Sequence, residues 1–201
     1  MITKLVTSAL AVFAFQSFAL ALTGPELAAR TSSKYQTIDV GVAVHFDSAR
    51  GVKYLTPQEK EQRRVIIQNG VVYSSQNEVV REGVVLDNKS TLQGNEKPEK
   101  ITYVMDSAGN FYLFDENATP SIRHSSILSA EPVAGAGELM TDDQGHITYV
   151  DDNSGHYATS DLFETNVLEA LKADGVDLSQ VTAAKDFKAK KKLRKLQKAA
   201  N

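Results

Sequence analysis

Val65-Ile66-Ile67-Gln68-Asn69-Gly70-Val71-Val72-Tyr73 sets two apolar, β-branched segments on either side of an Asn-Gly pair. Both central positions of a tight hairpin turn need positive φ, which Asn and Gly tolerate best, so this run predicts a two-residue β-hairpin. An antiparallel pair is thereby expected near the start of the chain's apolar section. The segments around it can be read for strands that extend the same sheet.

Downstream, Ile101 to Met105 and Phe111 to Phe114 flank Asp106-Ser107-Ala108-Gly109-Asn110, and Val133 to Met140 and Ile147 to Val150 flank Asp142-Asp143-Gln144-Gly145. Both read as hairpins around polar turns. Glu82 to Leu86 and Ile122 to Leu128 read as further strands, and polar Asn88 to Lys100 as an exposed loop. Gly135 and Gly137 inside a strand pattern predict a bulge or a place where another backbone or a ligand comes close. Upstream, Ile38, Val40, Val42, Val44 and Phe46 alternate with Asp39, Gly41, Ala43 and His45, the period of a strand with one buried face. His45 then lies on the other face beside Asp39 and Asp47 as a solvated side chain.

Helix signals are fewer. Thr56-Pro57-Gln58-Glu59 is a capping box with Pro at the first helical position, predicting a short helix from Pro57 to about Arg63. Thr23 and Glu26 have the same spacing and suggest a brief lead-in helix over Thr23 to Arg30. After Tyr157 the period changes: Asp161 and Glu164 can cap a helix with Phe163, Val167, Leu168 and Leu171 on one face, stopped by Gly175. The expected fold class is α+β, a mainly antiparallel β sheet with one or two packed helices, in a single domain over residues 34–184.

Of 201 residues, 42% are hydrophobic and none is Cys or Trp. The absence of Cys excludes disulfides, thiolate nucleophiles, Cys-ligated zinc and iron-sulfur clusters. Met1 to Ala21 has the layout of a secretory signal peptide: one positive charge, Lys4, an apolar stretch from Leu5 to Phe15, and Ala19-Leu20-Ala21 as the peptidase site. Gln16 and Ser17 interrupt the apolar stretch well short of the roughly 20 residues that span a bilayer. Cleavage after Ala21 is expected, giving a secreted or periplasmic product with residues 22–33 as a lead-in and no transmembrane segment. The net charge of −3 conceals a division. Residues 185–201 hold eight basic residues against one acid, Asp186, a net +7, and residues 22–184 carry −11. Such a basic tail is an interaction feature rather than part of a fold.

Four ordered segments add a family resemblance: Tyr54-Leu55-Thr56-Pro57-Gln58-Glu59, the Ile101 to Phe114 hairpin, His124-Ser125-Ser126 with Glu131 to Glu138, and Ser154-Gly155-His156-Tyr157. Over residues 51–183 the chain resembles a module shared by plant IQ-motif calmodulin-binding proteins and large bacterial toxin and effector polypeptides. The hallmarks of that module are HSSF, AAG(E/R) and SGHY-P segments. Ile127 stands where the module has Phe, Ala158 where a Pro follows SGHY, and no IQ motif is present, so calmodulin binding is not carried over on that ground. The resemblance implies a toxin- or effector-associated context and carries no settled reaction.

His124, Ser125, Ser126, His156 and Tyr157 are the candidate catalytic residues. With Asp151 and Asp152 they supply a hydroxyl, an imidazole and a carboxylate, the ingredients for activating a serine. No G-x-S-x-G elbow accompanies them. The same side chains could instead form a polar network in a β-rich core, or bind a ligand or peptide. His124, His146 and His156 are chemically able to hold zinc, but spacings of 22 and 10 residues match no compact metal motif, so no metal is assigned. Gly135 and Gly137 do not make a G-x-G-x-x-G loop, so no nucleotide or other cofactor is assigned.

In the tail, Lys188, Lys190, Lys191, Lys192, Arg194 and Lys195 are the candidate partner-binding residues. A basic segment with scattered apolar anchors suits a host protein, a calmodulin-like protein, an anionic membrane surface or nucleic acid; it also suits a solvated or disordered terminus that folds back on the acidic body. The leading functional expectation is an exported bacterial interaction protein of the toxin or effector kind, binding a macromolecular partner in a host or rival cell. Its alternatives are a small secreted effector enzyme, a hydrolase or group transferase with a His/Ser/Tyr site, and an envelope housekeeping protein.

Overall fold

The computed structural model describes residues 28–41, 45, 47–75, 78–80, 100–115 and 121–185. The first hairpin forms as expected: β1 (Arg64–Gln68) and β2 (Val71–Ser74) pair antiparallel, with Gln68 opposite Val71. Asn69 and Gly70 turn between them at φ 52° and 79°. β3 (Ile101–Met105) and β4 (Phe111–Phe114) form the second hairpin, and β5 (Gly135–Thr141) and β6 (Ile147–Asp151) the third. The later turns share a device. Asp106 Oδ1 accepts from the backbone N–H of Ala108 and Asn110, and Asp142 Oδ1 from those of Gln144 and His146.

These strands and β7 (Thr182–Ala184) join in one sheet of order β2-β1-β4-β3-β5-β6-β7. Every neighbouring pair is antiparallel except β6 and β7, which run parallel. The sheet curls until β2 meets the β5–β6 turn: Val71 bridges His146, and the Val72 N–H donates to the Gly145 carbonyl. Val79 and Val80 also pair with β2, so the backbone groups of this edge are satisfied.

The hairpin of β3 and β4 is buried on both faces, and its alternation divides the core in two. Tyr103, Met105, Phe111 and Leu113 enter the cluster around Phe163, Val167, Ala170 and Leu171. Val104, Tyr112 and Phe114 enter a second cluster with Leu55, Ile127, Leu128, Val133, Ala136 and Tyr157. The helical segment inside the curl begins as a 3-10 turn at Thr159–Asp161, continues as a π-helix over Phe163–Leu168 and ends as α3 (Glu169–Ala173). Its apolar face is the expected one, but no side chain caps its start. It approaches β5 so closely that a Cβ on Gly135 would lie 2.4 Å from Val167 Cγ2.

The helix after Thr56 is α1 (Pro57–Glu61), with both capping-box hydrogen bonds present. Two strand expectations are corrected. Ile122 to Leu128 is not a strand but holds α2 (His124–Ile127), whose four residues are all buried. The Ser126 hydroxyl accepts the Arg123 N–H, and Ser129 and Ala130 follow at positive φ, turning the chain where a strand would have continued. Ile38 and Val40, at the head of the alternating run, form isolated bridges instead of a strand: Ile38 pairs with Val133 and Val40 with Tyr157, two separate elements that offer no continuous edge. Val42 to Val44 and Phe46 lie outside the described residues, as do Glu82 to Leu86, Met1 to Ala21, the start of the lead-in helix and the tail from Asp186. Ala28 to Arg30 are not helical. Among the described residues no helix is long and apolar enough to cross a membrane.

Candidate functional site

The hallmark segments converge. α2 presents His124, Ser125 and Ser126 against the sheet, and the turn before the long helical segment presents Ser154, His156 and Tyr157. The Ser154 hydroxyl holds that turn by accepting the backbone N–H groups of His156 and Tyr157 at 3.3 and 3.2 Å. The two segments are joined by Asp47, a residue that sequence reasoning placed only beside a solvated His45. His45 is exposed as expected, whereas Asp47 is 2% exposed.

The Ser125 hydroxyl donates to Asp47 Oδ2 at 2.7 Å, and His156 Nε2 lies 3.0 Å from Oδ1. The Tyr54 hydroxyl donates to Oδ2 at 3.2 Å. Because a carboxylate only accepts, His156 must carry its proton on Nε2. The order is thus serine–aspartate–histidine, with the carboxylate in the middle. A serine nucleophile needs its single O–H directed at an imidazole nitrogen, and here that proton is committed to Asp47. Ser125 is also fully buried, at 0% exposure.

The other candidates are engaged elsewhere. His124 Nε2 lies 3.2 Å from the Gly137 carbonyl, and desolvation by burial pushes its pKa down to about 4, so the ring is neutral near neutral pH. The Ser126 hydroxyl caps α2. The Tyr157 hydroxyl donates to the Glu131 carbonyl at 3.0 Å, and burial raises its pKa. Asp151, expected beside the serine, instead accepts from the Glu138 and Asn153 N–H groups on Oδ1 and from Lys100 and Tyr149 on Oδ2. Its carbonyl takes the Tyr103 hydroxyl. Gly137 runs against this segment, and a Cβ there would lie 2.0 Å from the Asp151 carbonyl oxygen. The expected close backbone approach is therefore present at Gly137, whereas Gly135 meets the Val167 side chain.

His146 sits on an exposed turn paired with Asp142, away from His124 and His156. Among the described residues no group of three or more His, Asp or Glu side chains is placed to hold a metal. A shallow pocket lined by Arg30, Arg64, Asn110 and Asp174 shares no residue with α2 or the Ser154–Tyr157 turn. Lys188, Lys190, Lys191, Lys192, Arg194 and Lys195 lie outside the described residues. Lys185, where the tail begins, pairs with Glu164 at 2.7 Å.

The missed residue, Asp47, has no local signature. It precedes Ser48-Ala49-Arg50-Gly51, a turn that closes on its carbonyl, and nothing in that run distinguishes a buried acid from an exposed one.

No curated protein and no solved structure matches the chain. A family model described as the IQ motif-containing protein middle domain matches residues 59–163, just over half of the chain. That span contains α2, the AGAGE strand and the Ser154–Tyr157 turn, whereas Asp47 and Tyr54 lie upstream of it. The chain belongs to the IQ motif-containing protein middle-domain family.

Proposed function

We propose that this protein is an exported interaction protein of the toxin or effector kind, secreted or periplasmic after cleavage following Ala21, that binds an anionic macromolecular partner through its basic C-terminal segment. The burial of the hallmark residues carries this reading: Ser125 and His156 are engaged with Asp47 inside the body, which supports a module that presents surfaces over one that carries out a reaction. The tail's +7 charge supplies the surface, and a calmodulin-like protein or an anionic membrane fits its sign. The family's name adds an association with IQ-motif proteins.

The test compares the purified chain with one truncated after Lys185, leaving β7 and the Lys185–Glu164 pair intact. Each is titrated with calmodulin and with phosphatidylserine vesicles at low and high salt. Binding that requires the tail and falls steeply with salt supports the proposal. Binding unaffected by truncation overturns it.

A secreted hydrolase or transferase is the second reading, favoured by the coincidence of Ser125, His156 and a carboxylate in one cluster. It requires cellular toxicity that His156→Ala removes while the variant stays folded. Harmless expression in both bacterial and eukaryotic cytoplasm, with no partner bound, points to an envelope housekeeping role.

A further inference from the structure

Asp47 lies upstream of the span matched by the family model, yet its side chain is held by residues inside that span. Three donors converge on one carboxylate: Ser125 Oγ and Tyr54 OH on Oδ2, His156 Nε2 on Oδ1. Each oxygen receives at least one donor, the arrangement that recognises a carboxylate. Ser125, His156 and Asp47 are buried, while Tyr54, 42% exposed, reaches the cluster from the surface.

The backbone on either side of Asp47 is tied to the same two segments. The Gly41 N–H donates to the His156 carbonyl at 2.7 Å, and the Leu55 N–H donates to the Ser126 carbonyl at 3.0 Å. The chain thus arrives at one hallmark segment and departs from the other, with the Asp47 carboxylate inserted between them. An independent sign is His156 Nδ1, which is buried and has no hydrogen bond among the described residues. The polar anchoring of this ring runs through its Nε2 side, toward the carboxylate.

We infer that Ser125, His156 and Tyr54 form a carboxylate-receptor site, filled in cis by Asp47, which clamps the N-terminal segment onto the family module. The ligand class is a monocarboxylate, and the contact requires no outside partner. Asp47 is therefore a positioning residue: it fixes the imidazole of His156 and joins α2 to the Ser154–Tyr157 turn.

Removing the carboxylate while leaving its donors should open the site to a small carboxylate added from solution. The full chain carrying Asp47→Ala is melted in increasing sodium formate, with sodium chloride at matched ionic strength as control. The expected result is a lowered melting temperature that formate, and not chloride, raises saturably by about 3 °C or more. Wild type and the Asp47→Ala/His156→Ala double variant should lack that response. Asp47→Asn, which keeps the shape but sets an amide N–H₂ against a donor, should also melt below wild type. The inference is overturned if formate and chloride act alike, if the double variant responds as the single one does, or if Asp47→Asn is as stable as wild type. It is equally overturned if Asp47→Ala remains unfolded at every formate concentration while Asp47→Asn folds.

Discussion

His124→Gln tests whether the first hallmark residue is a buried neutral group. Its ring is fully enclosed, and desolvation is the largest influence on its pKa, opposed by the Gly137 carbonyl; the nearby His156 and Arg123 lower it and Asp151 raises it, each to a smaller extent. The folded value of about 4 lies below the 6.5 of a free imidazole. Above pH 6.5 the ring is neutral in both states and contributes nothing to pH dependence. Between 6.5 and 4 the unfolded chain binds a proton that the folded chain refuses, so stability falls as pH falls, and below 4 the loss levels off. A gap of this size corresponds to about 3 kcal/mol at ~1.4 kcal/mol per pH unit. Gln retains an N–H for the Gly137 carbonyl and cannot titrate. Urea unfolding at a series of pH values from 7 to 4 should therefore show wild type losing about 3 kcal/mol more than His124→Gln. Parallel curves would refute a buried, neutral His124.

Gly137→Ala forces a methyl against the Asp151 backbone, which cannot rotate aside, so it should cost about 3 kcal/mol or more, at the upper end of overpacking, read from the urea midpoint. Thr56→Ala removes the acceptor for the Glu59 N–H in the capping box and should cost about 1 kcal/mol, measured in the same way. A chain truncated after Val181 loses β7 and uncovers β6, so it should melt below one truncated after Lys185; equal melting temperatures for the two chains would mean that β7 adds nothing to the sheet.

The three hairpins were legible because their determinants are local. Asn69-Gly70 accepts positive φ, and Asp106 and Asp142 fold their own turns through hydrogen bonds to N–H groups two and four residues on. α1 was legible for the same reason, since Thr56 and Glu59 cap each other. Ile122 to Leu128 is not legible as a helix because four residues make little more than one turn, all of them buried, which leaves no solvent-facing side and no period to separate the segment from a buried strand. Ile38 and Val40 have the right period but bridge two separate elements, with no continuous edge to pair along.

The candidate site divides along the same line. Sequence alone determined which residue types were present and that two hallmark segments carried them, because those motifs are contiguous. It also determined the division between an acidic body and a basic tail, which is a matter of composition. Only the tertiary structure decided that the acid would be Asp47, 78 residues from Ser125 and 109 from His156, and that it would stand between them. That outcome depends on how the curled sheet brings distant backbone together, and on burial, which makes a carboxylate surrounded by donors far more favourable than one left unpaired.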